Sequence, residues 1–343
     1  MDFQVINPSE IPDWDSLLLR SGDQSFFHSS VWARVLEEAY GYKPVYFASF
    51  EDCRLTFLMP FMEVASFLTG RRGVSLPFAD RCAPFFLRRE HLLEAIAYAI
   101  DFGIKAKWGY LEWRDDLFCE ESVSPSITYY THDLDLKLTE PELFSLLKGS
   151  NRRNIGKAMK QGVSIEIGQS REALDSFYRL KCMTIKRHGL PPQPLSFFKR
   201  VFDYIISKGN GIVVSAHHSN ETVAAAIFFH FGKTAVYKYA ASDINFQNLR
   251  PNNLILWEAI KWYKTEGFEI LNLGRTDTEN HGLLRFKRSW GGTESLLKYY
   301  RYNIKKKVYL RQHLRSNFQM QVFARTPILL LRMIGRLLYR HVG

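Results

Sequence analysis

A chain of 343 residues is long enough for about two domains, and its 46% apolar and 15% aromatic content excludes a globally disordered protein. The four cysteines (Cys53, Cys82, Cys119 and Cys182) have no zinc-ligand spacing, so a reducing, cytoplasmic compartment and no structural metal are expected. Eleven basic residues follow the last acidic residue, Glu294, and they account for the whole net charge of +11. A nucleic-acid-binding domain would more often carry its basic residues throughout its fold, so this distribution argues against that class of protein.

The first half of the chain predicts a series of strands and helices. Apolar residues that alternate indicate strands, and apolar residues that recur every three to four positions indicate helices. The predicted elements are, in order, a strand at 3–6, helices at 13–20 and 30–40, strands at 45–50, 55–64 and 73–78, a helix at 90–102, and strands at 110–113 and 127–136.

The second half predicts nearly the same order. Its elements are a helix at 141–161, a strand at 163–167, helices at 171–187 and 196–208, strands at 211–217, 222–231 and 234–241, a helix at 252–266, a strand at 268–273, a short helix at 282–289 and a last strand at 296–302. Recurrence of the order after about 150 residues predicts an internal duplication. The predicted domains are 1–138 and 139–304, followed by a basic tail at 305–343.

Five short segments of the second half resemble one enzyme family in their order and spacing. These segments are 150–157, 237–242, 249–254, 273–275 and 282–291. They resemble the FemAB-like branch of the GNAT acyltransferase superfamily, which includes the aminoacyl transferases that build peptidoglycan cross-bridges. The resemblance implies an α/β (α+β) fold of two tandem GNAT-like domains, each a mixed sheet flanked by helices, with the basic helical tail added.

The function implied by this resemblance is N-acyl or aminoacyl transfer to an amine on a cell-envelope or polysaccharide precursor, substrate-assisted and without a metal. The co-substrate would be acyl-coenzyme A or aminoacyl-tRNA, and no tightly bound cofactor is expected. The donor is open, because 171–208 lacks the long helical arm of tRNA-dependent members and 247–252 replaces the glycine-rich turn that cradles coenzyme A. The alternative functions are a non-catalytic binding protein of envelope or exopolysaccharide assembly, and a nucleic-acid-binding protein without transfer activity.

Acyl transfer to an amine requires stabilisation of the negative charge on the tetrahedral oxygen. Lys287 lies on the short predicted helix between Phe286 and Trp290, and the resemblance assigns this lysine to the reacting centre. Trp290 is expected at the substrate. The alternative is that Lys287 is an exposed residue of a basic helix.

Arg275 is the second catalytic candidate, because it follows a predicted strand end and Gly274 would let a ligand approach closely. An ion pair with Asp277 or Glu279 is the alternative reading.

The start of the helix at 252–266 is expected to bind a phosphate of the donor. Arg250, Asn252 and Asn253 surround Pro251, and helix N-termini bind phosphate through free amides and the helix dipole. The alternative is that Asn252 simply caps the helix.

Further substrate contacts are predicted in both halves. Tyr237 and Tyr239 lie two residues apart on a strand, so both are expected on one sheet face, where they would line the acceptor groove or pack. Asp80 and Arg114 lie on a predicted loop and strand end of the first domain. They are expected to face a cleft between the domains.

A basic helical face is predicted from Arg152, Arg153 and Lys157, together with Lys160. It would contact phosphates of an acceptor or of a tRNA, although such a charge cluster is more often a solvated surface.

The tail is basic and partly apolar. Its basic residues run from Lys305 through Arg315 to Arg340, and 326–341 is predicted to form an amphipathic helix. Such a helix favours an anionic membrane surface, which would make the protein peripheral on the inner face of the membrane. The alternative is that the apolar residues pack on the protein or on a partner subunit.

Overall fold

The computed structural model describes residues 2–22, 25–115, 123–311 and 323–343. Cys119 and Arg315, named above, lie outside the described residues. The chain divides into two compact units. The first unit comprises Met1–Tyr129, Leu296–Leu314 and Leu337–Gly343, and the second comprises Tyr130–Ser295 and Arg315–Arg336. These bounds differ from the predicted ones, since residues at 130–138 belong to the second unit and residues at 296–304 to the first.

The elements are named here in chain order. The first half contains β1 (Gln4–Ile6), α1 (Trp14–Ser21), α2 (Ser30–Tyr40), β2 (Lys43–Glu51), β3 (Arg54–Ser66), β4 (Gly70–Val74), β5 (Phe85–Phe86), α3 (Glu90–Lys105), β6 (Tyr110–Trp113) and β7 (Ile127–Asp135). The second half contains α4 (Glu140–Leu146), α5 (Gly149–Lys160), β8 (Ser164–Gly168), α6 (Arg171–Arg187), α7 (Leu195–Tyr204), β9 (Gly211–His218), β10 (Glu221–Phe231), β11 (Thr234–Ser242), α8 (Pro251–Thr265), β12 (Ile270–Asn272), β13 (Thr276–Asp277), α9 (His281–Arg288), β14 (Thr293–Asn303), β15 (Val308–Tyr309) and α10 (Ile328–Leu338).

The sheet of the first unit has the strand order β1-β2-β3-β4-β6-β14. Strands β4 and β6 are parallel, and the other pairs in this order are antiparallel. Phe47, Phe57 and Phe61 face the buried side of α3, where Trp108 and Trp113 complete the core. Burial of these large aromatic side chains stabilises the unit, because each removes a large apolar area from water.

The sheet of the second unit has the strand order β7-β12-β11-β10-β9-β8. Strands β11 and β12 are parallel, and the remaining pairs are antiparallel. One face packs against α8 through Leu254, Trp257 and Tyr263. The other face packs against α6 and α7, where the rings of Phe177 and Phe198 lie 5.5 Å apart.

The two units repeat one topology. In each, an antiparallel four-stranded meander is followed by a helix and a strand parallel to the fourth, and a final antiparallel strand completes the sheet. The final strand of each unit comes from the other half of the chain: β14 pairs with β6, and β7 pairs with β12. The predicted fold class and element order are therefore confirmed, and the last strands of the two halves are exchanged.

The predicted helix at 141–161 is wrong in one respect, because it is two helices. Thr139 begins α4 with a capping box, in which its hydroxyl accepts from the Glu142 N–H and Glu142 accepts from the Thr139 N–H. The chain then turns at Leu147 and Lys148, and the Lys148 N–H donates to Ser289 O at 3.0 Å. This turn directs α5 toward α8.

The predicted tail helix is shorter than expected, since α10 ends at Leu338 and a 3-10 turn covers Tyr339–His341. Within the ranges given above, no helix combines the length and apolarity needed to span a membrane. Part of α10 packs on the second unit: Leu331 and Gly335 are buried, and a Cβ added at Gly335 would lie only 2.0 Å from Pro192 O. For the face of α10 that contains Leu331 and Gly335, the alternative that the tail packs on the protein is therefore correct.

Candidate functional site

The candidate site includes a tight turn that follows β12. Gly274 has a φ of 72°, a left-handed conformation that side chains other than glycine rarely adopt. The side chain of Asn272 fixes the turn by accepting from the Gly274 N–H at 2.8 Å. A few residues later Asn280 caps α9, accepting from the Leu283 N–H at 3.1 Å. The turn and the helix are thus both positioned by asparagine side chains.

Lys287 in the last turn of α9 is 4% exposed. Its ammonium donates to the carbonyl oxygens of Gly274 at 2.8 Å and of Arg275 at 3.1 Å. A buried ammonium requires such partners, because desolvation of the charge is costly. The alternative reading of Lys287 as an exposed residue is therefore wrong. The structure places its charge on the turn that follows β12.

Two buried polar side chains flank this contact in the chain, Thr276 directly after Arg275 and Trp290 three residues after Lys287. Thr276 follows the turn, and the Trp290 N–H donates to Lys287 O at 3.1 Å. Both side chains are 1% exposed, and neither the Thr276 hydroxyl nor the Trp290 indole N–H has a hydrogen-bond partner among the described residues. Buried polar groups without a partner are uncommon in native proteins. A bound substrate could supply the missing partners.

Strand β7 brings a histidine into the same region. Glu294 Oε2 lies 2.9 Å from Nε2 of His132, and the carboxylate of Glu294 also forms a two-point ion pair with Arg288. Burial lowers the pKa of His132, and the charges of Lys287 and Arg288 lower it further, against the opposing effect of Glu294. The imidazole is therefore neutral near pH 7.

Sequence reasoning missed His132, because its strand was assigned to the first domain. No group of three metal-ligating side chains lies together in the part of the chain that the structure describes.

An asparagine network connects three of the five family segments. Asn151 Nδ2 donates to the carbonyl and hydroxyl oxygens of Ser289 at 3.0 and 2.9 Å, and Asn253 Nδ2 donates to Asn151 Oδ1 at 2.9 Å. All three residues are buried. The network therefore joins α5 and α8 to the residue after α9, two positions beyond Lys287. Asn253 therefore has a structural role in this network, and its contact with substrate stays a prediction.

The start of α8 differs from the predicted cap. Arg250 precedes the helix with a φ of 63° and makes no side-chain capping bond, so the alternative that Asn252 caps α8 is wrong. Asn252 instead donates to Ser242 Oγ at 3.3 Å, and the Arg250 side chain is exposed. The exposed guanidinium beside the first turn suits the phosphate contact that the sequence predicts, which stays a prediction.

The prediction that Tyr237 and Tyr239 share one sheet face is wrong. Two adjacent residues of β10 lie opposite these tyrosines, so Lys238 is an extra residue and β11 contains a β-bulge. The ring of Tyr237 stacks on Phe228 at 5.0 Å in the core beside α8. The ring of Tyr239 lies on the opposite face, 5.4 Å from Phe198 of α7. Bulges are common next to active sites, because they redirect side chains.

Lys181 on α6 is a candidate that sequence reasoning missed. The ammonium groups of Lys181 and Lys238 each lie 5.4 Å from the ring centroid of Tyr239. Burial, and then the charge of Lys238, lowers the pKa of Lys181 to about 8. Such a lysine is partly neutral near physiological pH and can accept a proton. Its only sequence signal is its position between two apolar residues, Leu180 and Cys182.

The predicted basic face on α5 is present. Arg152, Arg153, Lys157 and Lys160 are exposed, whereas Asn151 and Ile155 on the opposite face are buried. The contact of this face with phosphates stays a prediction.

Asp80 and Arg114 belong to the first unit, and both are buried. The Arg114 guanidinium donates to Glu112 Oε1 at 2.9 Å and to Leu76 O at 3.2 Å. The backbone oxygen of Asp80 accepts from the Tyr299 hydroxyl. These contacts give both residues a role in stabilising the unit, and their contact with substrate stays a prediction.

Arg275 is half-buried in the turn that Lys287 binds. If its guanidinium binds an anionic group of the substrate equally in the ground and transition states, Arg275→Ala should raise KM with little change in kcat. Steady-state kinetics of this variant measure the changes in KM and kcat separately. Arg285→Ala, a change on the same helix as Lys287, is the control. A fall in kcat at unchanged KM would show that Arg275 acts in the transition state instead.

Known proteins resemble this chain in sequence and in fold. Residues 149–288 match the family model described as an acetyltransferase (GNAT) domain. A lipid II:glycine glycyltransferase of Staphylococcus epidermidis is 22% identical over 265 residues, which cover 58% of this chain and 62% of that protein. A UDP-N-acetylmuramoylpentapeptide-lysine N(6)-alanyltransferase of Weissella viridescens is 23% identical over 135 residues, which cover 39% of this chain and 40% of that protein. The chain thus spans less than two thirds of the length of these curated relatives.

A crystal structure of FemX superposes with a TM-score of 0.67 at 15% identity, covering 87% of this chain and 96% of that one. At this identity the likeness shows the fold, and the predicted tandem GNAT-like fold is confirmed. Residues 149–288 thus match the model of a GNAT acetyltransferase domain, and the chain as a whole resembles the FemAB-like branch of that superfamily.

Proposed function

We propose that the protein transfers an aminoacyl or other acyl group to a primary amine on a peptidoglycan precursor or a related envelope polysaccharide precursor. The observation that carries this proposal is the buried Lys287 ammonium, held on the turn after β12, with the buried polar groups of Thr276 and Trp290 that have no partner among the described residues. The names of the two curated relatives support the acceptor class, since one acts on lipid II and the other on a lysine N6 amine.

The proposed chemistry follows from the needs of amide formation. The neutral amine attacks the acyl carbon, the new C–N bond forms, and the bond to the leaving oxygen or sulfur breaks. The proton of the amine passes to the leaving group, so no protein carboxylate is required. The fixed charge of Lys287 stabilises the oxyanion, and burial strengthens its field by excluding water.

Membrane contact is a further part of the proposal. A lipid-linked acceptor is presented at the inner face of the cytoplasmic membrane, where a peripheral protein would meet it. The basic residues of 326–341 support binding to an anionic membrane surface there.

The two possible donors would bind at different sites in the second unit. An aminoacyl-tRNA would bind through the basic face on α5, whereas acyl-coenzyme A would bind at the first turn of α8 beside Arg250. Release of counterions makes the affinity for tRNA fall steeply with salt, because each neutralised phosphate contributes to the slope. Three or four contacts on α5 predict a loss of at least tenfold in affinity between about 50 and 200 mM salt. Coenzyme A binding should change far less.

The test is titration of aminoacyl-tRNA and acetyl-coenzyme A at two salt concentrations, followed by a transfer assay. The acceptors are UDP-N-acetylmuramoyl-pentapeptide and its lipid-linked form, and mass spectrometry detects the added acyl group. Arg152→Ala/Lys157→Ala should weaken binding of tRNA only, and Arg250→Ala should weaken binding of coenzyme A only. If neither donor binds and no acceptor gains mass, the transfer function is overturned in favour of a non-catalytic binding protein.

A further inference from the structure

An apolar turn protrudes from the first unit between β3 and β4. Phe67 at this turn is 87% exposed and Leu68 is 57% exposed. Single exposed apolar residues are common on soluble proteins, but adjacent ones that form a patch mark an interaction surface.

The turn is held rigidly by its polar atoms. Ser66 Oγ accepts from the N–H groups of Leu68 at 3.1 Å and Thr69 at 3.0 Å. The Arg72 guanidinium, which is buried, donates to Thr69 Oγ1 at 2.6 Å. Because these polar groups are satisfied within the protein, the exposed Phe67 and Leu68 side chains require no reordering to bind an apolar partner.

The segment 337–343 packs beside this turn in the same unit. Thr69 Oγ1 donates to His341 O at 3.1 Å, and Arg72 donates to His341 O at 2.7 Å and to Gly343 O at 3.0 Å. The rings of Phe67 and His341 have centroids 4.6 Å apart. Two further apolar side chains of this segment, Leu337 and Val342, are more than half exposed. The turn and the segment therefore form one apolar patch.

Helix α10, whose residues up to Arg336 belong to the second unit, also has an exposed apolar face. Its buried face contains Leu331 and Gly335, as described above. Residues three and four apart share a helix face, and the face opposite contains Leu329, Leu330, Met333 and Leu337, which are 50% to 68% exposed. The helix is thus apolar on two sides, one buried and one exposed, and Leu337 of the exposed side belongs to the first unit.

The charge around this surface favours an anionic lipid partner. No acidic residue occurs at 64–79 or after Glu294. Arg71 and Arg340, neighbours in the chain of the turn and of Val342, are exposed in the same unit. A second copy of the chain would bring like charges together, which opposes self-association, whereas basic residues beside an inserted apolar patch are attracted to anionic headgroups.

We propose that the turn at Phe67 and Leu68, together with Leu337 and Val342 of the same unit, inserts into the surface of an anionic membrane. This surface deepens the membrane contact of the proposed function, on which it rests, and adds to it the turn at Phe67 and Leu68, which lies outside the tail. Vesicle binding is measured without acyl transfer, so the two proposals can fail separately.

The test is flotation of the full chain with phosphatidylcholine vesicles that contain or lack phosphatidylglycerol. The anionic vesicles should bind the protein at least about tenfold more strongly at low salt, and salt should weaken the binding. Phe67→Ser/Leu68→Ser should lower the partition coefficient by about tenfold or more, because two apolar side chains no longer insert. The matched control is Leu87→Ser/Leu93→Ser, which changes two equally exposed leucines elsewhere in the first unit and should bind as the parent does.

Point changes are preferred to deletion of the tail, because residues 341–343 accept the hydrogen bonds of the buried Arg72. Thermal unfolding confirms that each variant is folded. Equal binding of the Phe67/Leu68 variant and the parent, or equal binding to both vesicle types, overturns the proposal. A concentration-dependent dimer that the same variant abolishes would assign the surface to a second copy and also overturn it.

Discussion

Replacing Lys287 with methionine is expected to lower turnover by about 100-fold or more, the usual effect of removing one group that stabilises an oxyanion. Methionine has nearly the same length and apolar stem, so the packing of α9 should be kept. The charge is lost, and the carbonyl oxygens of Gly274 and Arg275 lose their donor. Turnover is measured in the transfer assay, with the donor and acceptor that the titration and mass spectrometry identify. Circular dichroism and thermal unfolding check that the variant is folded.

The control is Lys199→Met, which removes an exposed ammonium from α7 in the same unit and should leave turnover unchanged. A purely structural role of Lys287 predicts a lower unfolding temperature and a reduced active fraction with normal turnover per active molecule. Active-site titration separates the two cases. Near-normal turnover in folded Lys287→Met would refute the catalytic assignment.

Replacing Glu112 with glutamine is expected to lower the free energy of unfolding of the first unit by about 3–5 kcal/mol, as for a buried ion pair that loses one partner. Glu112 is buried between Arg114, at 2.9 Å, and Arg301 of β14, whose Nε lies 3.1 Å away. Glutamine would leave both guanidinium groups without a counter-charge. Urea unfolding followed by tryptophan fluorescence measures the effect, and Glu51→Gln on the surface is the control.

The same carboxylate predicts a pH dependence with a defined sign. Burial alone would raise the pKa of Glu112, but the charges of Arg114 and Arg301 lower it from 4.5 to about 2. A pKa that is lower in the folded state contributes stability above the unfolded value, about 3 kcal/mol here, and this stability is lost as the pH falls from about 4.5 to 2. The difference between the parent and Glu112→Gln should therefore shrink across this interval. A constant difference down to pH 2 would contradict the ion-pair account.

Much of the fold could be predicted from local patterns, and the failures have physical reasons. Alternation and helical periodicity gave the order of elements, because both depend on neighbouring residues only. The partner of a final strand depends on the whole topology, so the exchange of β7 and β14 left no local signal. The β-bulge at Lys238 was also invisible, since an extra residue in one strand appears only against its neighbour.

The candidate site was predictable where the family segments lie. Lys287, Arg275 and Trp290 were all singled out; Lys287 and Arg275 meet at the turn after β12, and Trp290 is buried three residues after Lys287. Their burial, and the network of Asn151, required the structure. His132 and Lys181 could not be found in advance, because their chemistry depends on burial beside charges that are distant in sequence.

The origin of β14 has a consequence for the order of events during synthesis. The edge of β6 that ends at Trp113 is completed only when residues up to Asn303 have been made. At about 5–20 residues per second, the ribosome needs roughly 10–40 s to make the intervening chain. During this interval the edge of β6 and the carboxylate of Glu112 have no Arg301 to pair with, and an unpaired strand edge invites association with other chains. The amino-terminal unit therefore matures last, after the segment that follows it has been translated.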